Sequence, residues 1–330
     1  MKTIFFLILP FLTVVAGDNV YPCKKLHGMS GFAEKGGTTG GSEGPVVYIK
    51  NLKELKKYIS DTVPRTLVII ANIHSAQKAT VMLGANKSII GSWDANYICN
   101  IYLRAGHNSK NIIFQNLFFI HDVRNIGNSD TQLVLDHGER YWVDHCTFDG
   151  RKVDKRDLGK LLKVATTDYI TISNCKFMNH EYGLILGYPS DDPAGIAENN
   201  NYPRLTIMFN YFDNINARAP GLMRFGKFHV FNNYIHNCHL GFTIGLNSKI
   251  YSEHNYFSEP PKAAVLDDKG NGFFKDAGSV NMPTKQESKL DTWRPSSDYK
   301  YILKTPESSR DFCKQYSGAQ SNKLEFPCDK

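Results

Sequence analysis

Ile170-Thr-Ile-Ser-Asn-Cys-Lys-Phe177 decides the fold, because variants of it recur along the chain. They are Ile112-Ile-Phe-Gln-Asn-Leu-Phe118, Trp142-Val-Asp-His-Cys-Thr-Phe148, Leu205-Thr-Ile-Met-Phe-Asn-Tyr-Phe212, His229-Val-Phe-Asn-Asn-Tyr-Ile235 and Ile250-Tyr-Ser-Glu-His-Asn-Tyr-Phe257. Aligned on their last residue, they share an apolar column (Phe118, Phe148, Phe177, Phe212, Ile235, Phe257). Two places earlier runs a column of asparagine or cysteine (Asn116, Cys146, Cys175, Asn210, Asn233, Asn255). A unit of about 22 to 35 residues with short strands and variable polar loops belongs to the solenoids, in which each coil covers its neighbour's apolar face. The regular leucines of leucine-rich repeats and the tryptophan signatures of propeller blades are missing. The pattern predicts an all-β chain, a single-stranded right-handed parallel β-helix with long loops on one face. Residues of one column then stack about 4.8 Å apart, so asparagines bond up the stack while phenylalanines pile inside. Cys146 and Cys175 become ladder neighbours, as two buried thiols or as a disulfide.

Upstream of the repeats, Gly31-Phe-Ala-Glu-Lys-Gly-Gly-Thr-Thr-Gly-Gly41 matches no phosphate-binding glycine motif and reads as a turn-rich entry. Val46-Val-Tyr-Ile49 reads as a strand, and residues 52–59 carry apolar side chains at helical spacing, giving one N-terminal amphipathic helix. Leu67-Val-Ile-Ile70 is a strand with apolar residues on both faces. The longest insertions between repeats lie between Phe148 and Leu161 and between Gly183 and Pro203. Beyond Phe257 the pattern fades into a polar tail. The division is therefore a signal over 1–17 and one β-helix domain over 18–330, with its core at about 28–260 and a tail over 261–330 wrapping the coils.

The signal reading rests on Met1-Lys2, the apolar run Ile4 to Val15 and small residues before Asp18, which predict a cleaved secretory leader and an extracellular protein. Seven cysteines are compatible with that compartment, and Cys313 with Cys328 is the expected bridge in the tail. No zinc spacing occurs. The net charge of +7 favours an anionic partner. That partner could be nucleic acid, a membrane or an anionic polysaccharide; with no Lys/Arg block a nucleic-acid tail is not expected, and no segment after the leader is long and apolar enough to span a bilayer. The cations concentrate in Asn216-Ala-Arg-Ala-Pro-Gly-Leu-Met-Arg-Phe-Gly-Lys227, where Arg218, Arg224 and Lys227 crowd one turn. Such a turn is either well solvated or built to hold an anion.

Several pieces, in order, resemble the pectate and pectin lyases of polysaccharide lyase family 1 over roughly residues 28–260. They are Gly31-Phe-Ala33 with Thr38-Thr-Gly-Gly41, Tyr141-Trp-Val-Asp-His-Cys-Thr-Phe148, Asp168-Tyr-Ile-Thr-Ile-Ser173, Asn179-His180 followed by Leu184-Ile-Leu-Gly187, and Arg218-Ala-Pro220 leading to Arg224-Phe-Gly-Lys-Phe-His-Val-Phe-Asn-Asn233. The resemblance implies a secreted, monomeric β-helix that cleaves homogalacturonan, an acidic plant cell-wall polysaccharide, by β-elimination in a groove. It places Arg218 at the catalytic arginine, as proton acceptor or as carboxylate clamp. It makes Arg224, Lys227, Tyr182 and Lys163 the substrate-binding positions, and Ca2+ the cofactor, with Asp130, Asp154 and Asp157 the available ligands.

Four departures matter. The Arg218 to Arg224 spacing holds one extra residue, and Tyr182 stands where pectate lyases of the family carry a lysine. Asp130 is one residue farther from Trp142 than usual. An expected acid falls on Leu162 or Lys163. Three functions follow: a calcium-assisted pectate lyase first, a pectin lyase acting on methyl esters without metal second, and a non-catalytic polysaccharide binder third. Asp144-His145, although shaped like an acid/base pair, reads as structural.

Overall fold

Each repeat folds into three short strands, and each strand pairs in parallel with its counterpart one coil further on. The computed structural model describes residues 28–125, 127–151, 159–188, 190, 192–259, 266–282 and 288–320. The leader, Cys23, Asp154, Asp157 and Cys328 lie outside the described residues. In a first sheet, Leu133–Leu135 pairs with Leu162–Val164, which pairs with Leu184–Leu186. In a second, Glu139–Asp144, Asp168–Ser173, Arg204–Met208, Lys227–Phe231 and Lys249–Glu253 follow one another. In a third, Phe118–Ile120, Thr147–Asp149, Lys176–Tyr182 and Tyr211–Met223 do the same. The result is a right-handed parallel β-helix.

The apolar column is real. Phe119, Phe148, Phe177 and Phe212 stack with ring centroids 4.7, 5.0 and 5.1 Å apart, and Ile235 and Phe257 continue the row. Each fully buried ring contributes roughly 1.5–3 kcal/mol. The asparagine ladder beside it satisfies backbone that would otherwise be stranded inside: Cys175 N donates to Asn210 Oδ1 at 2.8 Å, Asn210 N to Asn233 Oδ1 at 2.9 Å, and Asn233 N to Asn255 Oδ1 at 2.9 Å. Leaving one such group unmade costs about 1–3 kcal/mol.

The first repeat corrects the sequence alignment by one residue. Phe119, not Phe118, pairs with Phe148, and Phe118 is half-exposed. The cause is the corner joining the second and third sheets, where one residue per coil takes a left-handed conformation: Asn116 (φ 54°), His145 (45°), Asn174 (51°), Phe209 (54°), Asn232 (53°) and His254 (46°). Asn116 therefore belongs to the corner, a conformation asparagine tolerates well. Leu117 takes the ladder place beside Cys146, whose N–H points to Cys175 Sγ at 3.4 Å. Both cysteines are buried thiols rather than a bridge.

The flanking pieces close the solenoid. The helix Leu52–Ile59, capped by Asn51 Oδ1 accepting from Glu54 N at 2.9 Å, buries Leu55 and Ile59 over the first coil. The glycine-rich entry holds a one-turn helix, Phe32–Lys35, laid across the second sheet, where Phe32 N and Ala33 N donate to Thr206 Oγ1 (3.1 Å) and Thr171 Oγ1 (3.0 Å). Asp144 is buried and accepts from Gln115, Ser173 and Asn174 at 2.8–2.9 Å besides contacting His145 Nδ1, so that pair is structural. The helix Pro306–Tyr316 packs on the third sheet, after which Gly318 N bonds Asn174 O and Gln320 N bonds Asn116 Oδ1, tying the tail along the left-handed corner.

Candidate functional site

Alternation along the first sheet leaves one outward residue per coil. Leu133 and Leu135, Leu162 and Val164, and Leu184 and Leu186 enter the core. Arg104, Val134, Lys163, Ile185, Leu222, Thr243 and Asp267 form the outward row, each paired with the next. The missing acid is thereby located: Leu162 points inward and is fully buried, so Lys163 stands in the outward row, 3.7 Å from Asp136. Apart from Lys163, the middle of this row is apolar.

The strand Tyr211–Met223 carries Arg218 beside that row. Ala217 pairs with Leu240 and Gly221 with Phe242, so Arg218, Ala219 and Pro220 stand opposite the single residue Gly241. The bulge absorbs the extra residue of the Arg218–Arg224 motif and re-aims the chain, as bulges do. Arg218 itself takes φ 67°, a conformation that costs a non-glycine residue roughly 1–2 kcal/mol. Its guanidinium lies 4.7 Å from the centre of the Tyr182 ring. Arg224 follows the strand with its N–H on Leu186 O at 2.9 Å, and its side chain crosses Gly245, where any Cβ would fall 2.4 Å from Arg224 Cγ.

Sequence reasoning missed one member of this cluster, Lys160. Its ammonium sits 5.7 Å from the centre of the same Tyr182 ring and donates to Asn128 Oδ1. Burial, then Arg218 and Lys163, hold its pKa down to about 8. Burial is also the main force lowering Arg218, with Arg224 adding to it and Tyr182 opposing. Beneath them His180 is buried, accepts from Tyr182 N through Nδ1 at 3.0 Å, and is kept neutral by burial and by His121, its pKa falling to about 4. No spacing rule joins Lys160 to Lys163 on a strand. The lysine enters from the turn before the strand, and only its closeness to Lys163 in sequence was available as a signal.

Arg218, Arg224, Tyr182 and Lys163 thus come together, and Lys227 does not. It begins the strand Lys227–Phe231 of the second sheet, 3.7 Å from Asp298 and over Trp293, where it fastens the tail. Asp130 is 5% exposed, with one carboxylate oxygen on Lys78 and the other accepting from Gly127 N at 2.7 Å. A calcium site asks for several converging carboxylate or carbonyl oxygens, and Asp130, held by Lys78 and Gly127, is the one expected ligand among the described residues. What converges instead is Lys160, Lys163 and Arg218, and no group of three metal-ligating side chains occurs among the described residues.

A family model described as "Pectate lyase" matches residues 13–322. A pectin lyase of Pseudomonas marginalis is 48% identical over 310 residues, spanning 93% of this chain and 99% of that one. A pectin lyase of Bacillus subtilis is 46% identical over 319 residues, spanning 93% and 92%. A probable pectate lyase B of Aspergillus terreus is 30% identical over 241 residues, spanning 71% and 69%. Among solved structures, a pectate lyase of Bacillus sp. N165 in complex with trigalacturonate superposes with a TM-score of 0.75 at 24% identity, covering 88% of this chain and 99% of that one. That likeness speaks for the fold.

Proposed function

Since this chain belongs to the pectate lyase family and is a polysaccharide lyase, we propose that it acts as a pectin lyase, cleaving methyl-esterified homogalacturonan by β-elimination without calcium. The observation that carries the choice is Lys163 in the otherwise apolar middle of the outward row, among Val134, Ile185 and Leu222. A fixed ammonium supplies the positive charge that a metal would supply to a carboxylate, and the apolar neighbours suit an uncharged methyl ester. The names of the relatives at 46% and 48% identity point the same way.

In this reading Arg218 takes the C5 proton of the reacting sugar. The electrons of the C5–H bond form the C4–C5 double bond, the C4–O4 bond breaks, and O4 leaves with a proton supplied by solvent. Negative charge developing on the ester carbonyl is met by Lys163 and Arg224. Burial lowers the Arg218 pKa, the direction that a proton acceptor requires. Its left-handed backbone and the bulge set the course of the side chain, whose guanidinium lies over the Tyr182 ring. The leader at residues 1–17 exports the enzyme to the plant cell-wall polymer, where it works as a monomer.

The deciding measurement is turnover on low- and high-ester pectin, each with and without chelator, followed by the ultraviolet absorbance of the unsaturated product. Faster cleavage of the high-ester substrate, unchanged by chelator, is the expected outcome. Activity confined to low-ester polymer and abolished by chelator overturns the proposal in favour of a calcium-assisted pectate lyase.

A further inference from the structure

We infer that Lys160 is a substrate-binding residue which, resting with Arg218 on the Tyr182 ring, sets how far this lyase tolerates a free carboxylate next to the ester it cleaves. The inference rests on the pectin lyase reading above.

The first support is placement. Lys160 is supplied by the turn before Leu162–Val164, Tyr182 by the end of Lys176–Tyr182, and Arg218 by the bulge in Tyr211–Met223. Three successive coils therefore converge on one aromatic ring, whose face attracts both cations. The second is charge. Among the described residues, the charged groups that face Lys160 are Arg218 and Lys163, both of its own sign, with Asn128 and Tyr182 beside them and His180, held neutral, beneath. Cations gathered in a half-buried space repel one another, and the arrangement is relieved when an anion enters. The third is division of labour. Lys163 stands in the outward row and Arg218 on the bulge, so the reacting ester is already served, and Lys160 is the further positive charge, held off the row by Asn128. Partly esterified pectin carries carboxylates among its esters, and one such uronate brings the single negative charge that Lys160 matches. Its pKa of about 8 makes it the member of the set that loses its proton in mildly alkaline solution.

The test compares kcat/KM on low-ester and high-ester pectin for the wild type, Lys160→Met and Lys160→Arg. Lys160→Met should lower kcat/KM on low-ester pectin about tenfold more than on high-ester pectin, so that the low-ester to high-ester ratio falls about tenfold. For the wild type the ratio should fall as pH rises from about 7 to about 9, whereas Lys160→Arg, which stays charged throughout, should hold it constant. An unchanged ratio in Lys160→Met, or an equal loss on both substrates, overturns the inference. Thermal melting of each variant separates these outcomes from misfolding. A wild type that fails on high-ester pectin overturns the underlying reading instead, and that result is visible before any variant is made.

Discussion

The corner between the second and third sheets and the turns beside the first sheet are built from the same coils on opposite principles. At the corner the coils repeat one arrangement: one left-handed residue, then a ladder residue, and from Cys175 to Asn255 the ladder side chain accepts from the backbone N–H of the coil before it. Beside the first sheet no two coils agree, and successive turns deliver Asn128, Lys160, Tyr182 and Arg218 to one place. The corner gathers neutral amides whose hydrogen bonds are complete, while the other edge gathers like charges. Repetition stabilises the stack, and that rigidity allows the opposite edge to hold electrostatically unfavourable groups in position.

The contrast breaks most visibly at Arg218. Arg218→Ala should reduce turnover on esterified pectin by about a thousandfold and leave the thermal midpoint close to wild type; substantial residual turnover would remove Arg218 from the chemistry. Next comes the core column. Phe177→Ala, between Phe148 and Phe212, should cost ~3–5 kcal/mol in denaturant unfolding, with specific activity of the folded fraction preserved, and a loss below about 1 kcal/mol would mean the column does not act as one stack.

A third difference concerns acid. His180 has a folded pKa of about 4 against an ordinary 6.5, so the unfolded chain takes up a proton that the folded chain refuses. Stability is then full above the unfolded value and falls as pH drops from 6.5 toward 4, by on the order of 3 kcal/mol. His180→Gln should flatten that slope, and an unchanged slope in the variant would assign the acid sensitivity to other groups. The smallest effect is expected at the ladder itself: Asn233→Ala strands the N–H of Asn210, while Asn255 Oδ1 keeps the backbone N–H at 233, costing about 2 kcal/mol. Hydrogen exchange should show the loosening confined to the corner, and spread to the first sheet would deny the separation of the two edges.

The repeat was readable because a solenoid writes its contacts into the sequence: residues that touch across coils share one place in a recurring motif. Phe148, Phe177 and Phe212 were identifiable as stacked rings for that reason. The one slip, Phe118 for Phe119, arose where asparagine serves two roles, ladder and left-handed corner, that look alike as letters. The site was legible in part. Arg218, Arg224, Tyr182 and Lys163, named as candidates through the motif, lie together, whereas Lys227 lies apart from them because a strand boundary follows Gly226 and carries the lysine onto the second sheet. Lys160 was unreachable, since a turn residue's direction depends on what the neighbouring coils leave open.

By itself the sequence determined the coil, its period and the identity of the arginine motif, because stacking in register requires like residues at like places. The tertiary structure decided which of Leu162 and Lys163 faces outward, where the extra residue of the motif goes, and that two coils bring cations to the tyrosine ring of the coil between them. Those outcomes depend on pairing register and on turn geometry between coils, which no single stretch of chain encodes.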